Sequence, residues 1–223
     1  MAGRQVCLKP GYNSLWPAPR LPIKLNSTST RGLTSIHPPP KPRVFPNSGW
    51  DAISPSTPIE EETIPTYRPE RFYPVHIGEV FNCRYQVVGK LGYASSATAW
   101  LCRDLMGNRY TTLKVYTMSA ADPEVQVYQH LDTIQSSHAD LSCLRPLLDV
   151  FHVHSPDARS VHACLVHPPL GLSLDQLTPL LPDGVMSSGM VRTAMRNVLA
   201  ALDFLHAEAF IPVRTACIGR ALR

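Results

Sequence analysis

Three short runs decide the fold: Arg84 to Leu91 (RYQVVGKL), Ala97 to Cys102 (ATAWLC) and Tyr110 to Tyr116 (YTTLKVY). Each is rich in β-branched and aromatic side chains. Breaks at Gly92 and at Met106-Gly107-Asn108 separate them, the pattern of an antiparallel meander. Val127, Tyr128, Leu131 and Ile134 then recur at helical spacing, with Asp122 and Pro123 suited to the cap and first turn. Leu147 to His154 and Val161 to Val166 are two more apolar runs, joined by the turn-like Ser155-Pro156-Asp157. Beyond Gly171, Ser187 or Ser188 stands where a long helix would be capped. The apolar positions of that helix, Val191, Ala194, Val198, Leu199, Leu202 and Leu205, follow the i, i+3/i+4, i+7 rule. The order of elements predicts an α+β layer of five antiparallel strands with one inserted helix, followed by a linker and a long helix.

The charge is unevenly spread along the 223 residues. Residues 1–50 hold seven Lys or Arg and no acid, whereas the rest is net −3 and the whole is +4. Proline is lopsided too, with 14 of 22 in residues 1–74. Pro38-Pro39-Pro40, Pro42, Pro46, Pro55, Pro58, Pro65 and Pro69 remove backbone donors, so residues 1–70 read as a disordered basic leader. The shortage of acids resembles a mitochondrial import signal, but the prolines oppose the amphipathic helix such a signal needs. No apolar run approaches the roughly 18 residues that span a bilayer. The six cysteines (Cys7, Cys83, Cys102, Cys143, Cys164, Cys217) form no clustered pair, which predicts free thiols in a reducing compartment.

Chemistry concentrates around the first two strands. Leu91-Gly92-Tyr93-Ala94-Ser95-Ser96-Ala97-Thr98-Ala99 is a tight loop of mostly small residues, whose backbone N–H groups could approach phosphates. Lys114, one strand away, could neutralise their charge, and Glu124 on the following helix could hold that lysine by an ion pair. Each piece alone has a plain structural reading as a hairpin turn, a strand lysine or a first-turn acid; order and spacing together favour the site. His152, His154 and His162 alternate on neighbouring strands and could meet around a metal, although ordinary strand histidines fit them better.

The segment from Tyr73 to His206 resembles the amino-terminal part of a eukaryotic protein kinase, specifically the SR-protein kinase (serine/arginine-rich protein-specific kinase) family in its fungal form. Tyr73-Pro74-Val75-His76-Ile77-Gly78-Glu79-Val80-Phe81-Asn82-Cys83-Arg84-Tyr85 and Lys90-Leu91-Gly92 carry the likeness. So do Trp100-Leu101-Cys102-Arg103-Asp104, Leu113-Lys114-Val115 and Leu202-Asp203-Phe204-Leu205-His206. The resemblance implies a kinase small lobe over 71–166, a hinge and the first helices of the large lobe over 167–209, and an unrelated tail over 210–223. It implies transfer of the ATP γ-phosphate, with magnesium, to serines in Arg-Ser repeats of splicing factors, in cytoplasm or nucleus, and no direct nucleic-acid site.

In that frame Lys114 matches the lysine that contacts the α- and β-phosphates, Glu124 its helix partner and Gly92 the first glycine of the phosphate loop. Ala94 replaces the second glycine, where a methyl disfavours positive φ. Ala99 replaces a valine that packs on adenine, a loss of about 1–2 kcal/mol of apolar contact. With His167 as gatekeeper, Pro168 would offer its carbonyl and Leu170 its N–H to adenine, so two prolines cost neither bond. Val213, Arg214 and Thr215 stand where the family has its His-x-Asp loop, and no aspartate follows Glu208. The magnesium ligands of the family are likewise missing from the sequence. The expectation is a truncated kinase domain with a partial ATP site and no phosphoryl transfer on its own, its tail resembling a frame change or read-through intron. Two alternatives stand beside it. One is an interaction protein, whose small lobe or Pro38 to Pro42 meets a polyproline-binding partner. The other is an unstable product of a mis-spliced or wrongly delimited gene, whose exposed helix stripe aggregates.

Overall fold

The computed structural model describes residues 41–212 apart from 47, 50, 52, 119–121 and 135–142. Six strands form one antiparallel sheet: β1 (Val80–Phe81), β2 (Tyr85–Ala94), β3 (Ala97–Asp104), β4 (Arg109–Tyr116), β5 (Asp149–His154) and β6 (Val161–His167), in the order β1-β2-β3-β4-β6-β5. Helix α1 (Asp122–Thr133) follows β4. The one-turn α2 (Leu174–Leu177) and two 3-10 turns lead to α3 (Ser188–Ala207). Ser187 caps α3, its hydroxyl accepting from the Met190 N–H at 3.3 Å.

The sheet has one strand more than the five expected, because β1 is only two residues and too short to show alternation. Nor does Gly92 break the second strand. Register shifts between Val87 and Gly89 and between Lys90 and Gly92 let β2 bulge twice and run on to Ala94. These bulges keep Gly89 and Gly92 on the face opposite Val87 and Lys90.

Alternation divides the sheet into two faces. One carries Phe81, Tyr85, Val87, Cys102, Leu113, Val115, Cys164 and Val166, sealed by Tyr73, Val75, Leu148 and Phe151. The other carries Ala97, Tyr116, Ala163 and Leu165, packed against Val125 and Tyr128 of α1. At the sheet edge, Arg84 grips the fully buried Asp104 carboxylate with two bonds of 2.7 and 2.8 Å. Burial opposes that charge, but Arg84 and the Gly107 and Met106 amides outweigh it and hold the carboxyl at about 2. A Cβ at Gly107 would strike this carboxylate, so the β3–β4 turn needs its glycine.

The leader is not featureless where it is described. The Arg43 N–H donates to the Gln86 side chain at 2.8 Å, and Gln86 returns a bond to the Arg43 carbonyl at 2.7 Å. Glu60 and Glu61, in a 3-10 turn, form ion pairs with Lys90, whose ammonium also lies 5.5 Å from the Trp100 ring centroid. The expectation of disorder over 1–70 therefore fails for this last part, because its acids meet a lysine on the sheet. Pro38, Pro39 and Pro40 lie outside the described residues, as does the tail from 213. Cys102 and Cys164 are free and buried, but Cys83 is disulfide-bonded, against the expectation of free thiols. Spacing along the chain carries no signal for a single long-range pair.

Candidate functional site

The strand register sets a row across the α1-facing side of the sheet. Gly92 pairs with Ala99, Ala99 with Lys114, and Lys114 with Leu165. Residues opposite one another in antiparallel strands share a face, so Lys114 stands beneath the loop end of β2 and β3. Its Nζ lies 2.5 Å from Glu124 Oε2 on α1. Tyr116, two residues on and on the same face, donates its hydroxyl to that carboxylate oxygen, and its ring centroid is 4.7 Å from the Lys114 ammonium. Tyr116 thus positions the acid from a second direction. Sequence reasoning did not single it out, although its i+2 spacing from Lys114 was the available signal.

The loop over this row is a two-residue turn, Ser95-Ser96, between the paired Ala94 and Ala97. Ser96 is tied down: its carbonyl accepts from the Thr117 N–H at 2.9 Å and from the Thr117 hydroxyl at 3.2 Å. No described residue between Arg84 and Gly107 has positive φ. Ala94 therefore carries none of the left-handed strain expected of it, because it ends a strand instead of a glycine turn. A Cβ on Gly92 would meet nothing within 4 Å, so the space over the row is open. Leu91 sits half exposed at its rim.

At the far end, β6 delivers His167, Pro168 and the exposed Leu170. Here the geometry departs from expectation. The Pro168 carbonyl, thought to be left for a ligand, accepts from Arg145 Nη2 at 2.8 Å. Arg145 enters from the segment before β5, where Tyr128 of α1 bonds its carbonyl at 3.2 Å. His167 is 1% exposed and its ring Nδ1 lies 3.1 Å from the Pro146 carbonyl. Burial first, and the Arg145 charge with it, holds this imidazole below the usual histidine range. Lys114, Glu124, Arg145 and His167 thus sense one another's charge and form one polar cluster under α1.

The histidines near β5 do not converge. His162 pairs with Val153 in the buried face, whereas His152 and His154 are exposed on the other. Among the described residues, no group of three or more His, Cys, Asp or Glu is placed to hold a metal ion, and no helix is long and apolar enough to cross a membrane.

Comparison with known proteins gives the class first: the sheet, its inserted helix and the Lys114–Glu124 pair make a protein-kinase-like small lobe. No family model matches the chain. A serine/threonine protein kinase of Aspergillus fumigatus is 36% identical over 174 residues, covering 78% of this chain and 44% of that protein. SRSF protein kinase 3 of Mus musculus is 30% identical over 185 residues, and protein kinase dsk1 of Schizosaccharomyces pombe 32% over 158; these cover 74% and 68% of this chain. A solved kinase-domain structure aligns over 63% of this chain and 40% of that one, at 18% identity and a TM-score of 0.49, a likeness on which nothing rests. Over its matched part the chain belongs to the SR-protein kinase family. It spans less than half the length of these relatives, 32% of the mouse protein and 28% of the yeast one.

Proposed function

We propose that this chain supplies the nucleotide-binding lobe of a serine/threonine protein kinase of the SR-protein type. The observation that carries the reading is the Lys114–Glu124 pair at 2.5 Å, set in register beneath Gly92 and Ala99. A lysine ammonium held by a carboxylate is a fixed positive charge, and a fixed charge binds a phosphate without first being ordered. The open space over Gly92 fits a triphosphate; Arg145 at the Pro168 carbonyl fits adenine less well. Magnesium bound with the nucleotide would neutralise phosphate charge.

Within the 223 residues, Val213, Arg214 and Thr215 occupy the stretch where the family has its catalytic aspartate. The chain by itself therefore binds nucleotide without transferring phosphate, and the exposed Val198 and Leu199 on α3 await further structure. The protein substrates are Arg-Ser-rich splicing factors, met in cytoplasm or nucleus. A thermal shift with a millimolar magnesium nucleoside triphosphate tests the site. Stabilisation lost in Lys114→Ala is expected; no stabilisation by any purine triphosphate rejects the reading. Phosphorylation of an Arg-Ser peptide by this chain, lost in Lys114→Ala, would overturn the claim of inactivity.

A further inference from the structure

Buried polar atoms without a partner are costly and uncommon, so their location is informative. Among the described residues four such side-chain atoms occur: Thr111 Oγ1, Thr112 Oγ1, Arg145 Nε and His167 Nε2. Three of them gather at one place. Thr112 pairs with His167 in the β4–β6 register, and Arg145 bonds the carbonyl of the next residue, Pro168. Thr112 and His167 are 5% and 1% exposed and share the Lys114 face. The end of the site opposite the phosphate loop, where a base would lie, is thus lined with unmet hydrogen-bonding groups.

Their polarity can be assigned. The Pro146 carbonyl can only accept, so His167 Nδ1 carries the proton. Its burial keeps the ring neutral, which leaves Nε2 as an acceptor. Arg145 can only donate, and it does so at the hinge carbonyl, where an exocyclic amine would otherwise find its acceptor. An amine brought there meets a guanidinium head-on. A carbonyl oxygen brought there meets a donor, with an acceptor at hand for an adjacent ring N–H.

Resting on the nucleotide reading above, we infer that Arg145 and His167 set the base preference of this site, matching it to a 6-oxopurine in place of a 6-aminopurine. O6 of the base faces Arg145 and its N1–H faces His167 Nε2, the kind of paired readout by which arginine recognises guanine. Arg145 is the specificity-determining residue, while Lys114 serves either nucleotide.

Inosine and adenosine triphosphates differ only at position 6, so they isolate this effect. Affinities of Mg·ITP and Mg·ATP are measured by titration calorimetry on the full chain, for wild type, Arg145→Val and Arg145→Gln. Ligand-free melting confirms that each variant is folded. Wild type is expected to favour ITP by about fivefold to tenfold, and Arg145→Val to reverse the order through a gain in ATP affinity. Arg145→Gln, which can both donate and accept, should abolish the preference and serves as the readout if the valine variant fails to fold. Equal affinities, ATP preferred by wild type, or a ratio unchanged in the folded variants would overturn the assignment while leaving the nucleotide site standing. Binding of neither nucleotide would reject the site itself.

Discussion

The two faces of the one sheet are built from alternate residues of the same strands, yet they do different work. On β4, Leu113 and Val115 point into a sealed apolar layer, while Thr112, Lys114 and Tyr116 between them point to α1. The sealed face follows the logic of burial: large aliphatic and aromatic groups, with Tyr85 stacked on Phe151 at 5.9 Å and bonded through its hydroxyl to Asp149 at 2.8 Å. The other face carries small residues at Ala97, Ala99 and Ala163 beside charged and polar ones. Stability and chemistry are thus separated by a period of two, so a single-residue register slip would exchange them.

If this division holds, substitutions on the two faces should have opposite signatures. The largest loss of stability is expected from Leu113→Ala, which empties a fully buried site and should cost about 2–5 kcal/mol in urea unfolding. Next comes Arg84→Met, which strands the buried Asp104 carboxylate and should cost about 2–3 kcal/mol by the same measurement. A smaller effect is expected of pH. Burial lowers the His162 and His167 pKa values below their unfolded one, so their contribution is complete above about pH 6.5 and fades on acidification. Asp104, held at about 2, keeps its contribution until the pH falls below about 4 and loses it toward 2. Urea midpoints should therefore fall from pH 7 to 5 in wild type and less steeply in His162→Gln; an identical slope would remove His162 from this account. The smallest stability change, under about 1 kcal/mol, is expected from Ala99→Val on the chemical face, where the added methyls should instead tighten nucleotide binding by about fivefold to tenfold in calorimetry. A fall in stability as large as that of Leu113→Ala would erase the distinction between the faces.

Sequence reasoning recovered what periodicity and spacing encode. The main strand runs, the α3 cap at Ser187 and the pairing of Lys114 with Glu124 were legible because alternation, capping chemistry and strand-to-helix distance are local properties. What escaped it depends on contacts far apart in the chain. The double bulge that carries β2 through Gly92 exists only against β3. The docking of Glu60 and Glu61 needs Lys90 across the sheet, so a Pro-rich segment read by composition alone looked empty. Arg145 sits in an ordinary Leu-Arg-Pro context, and nothing local announces that its guanidinium closes the Pro168 carbonyl 23 residues on. Thr112 and His167 each read as plain strand residues until register sets them side by side.

Lys114 can be interrogated directly with an acyl-phosphate derivative of a purine nucleotide, which acylates a lysine amine held at its phosphates, followed by peptide mass spectrometry. If Lys114 is the phosphate-binding group, it should be the main lysine acylated, and excess unmodified magnesium nucleotide should protect it. Acylation spread over surface lysines, or unaffected by competing nucleotide, would contradict the assignment of this face to nucleotide binding.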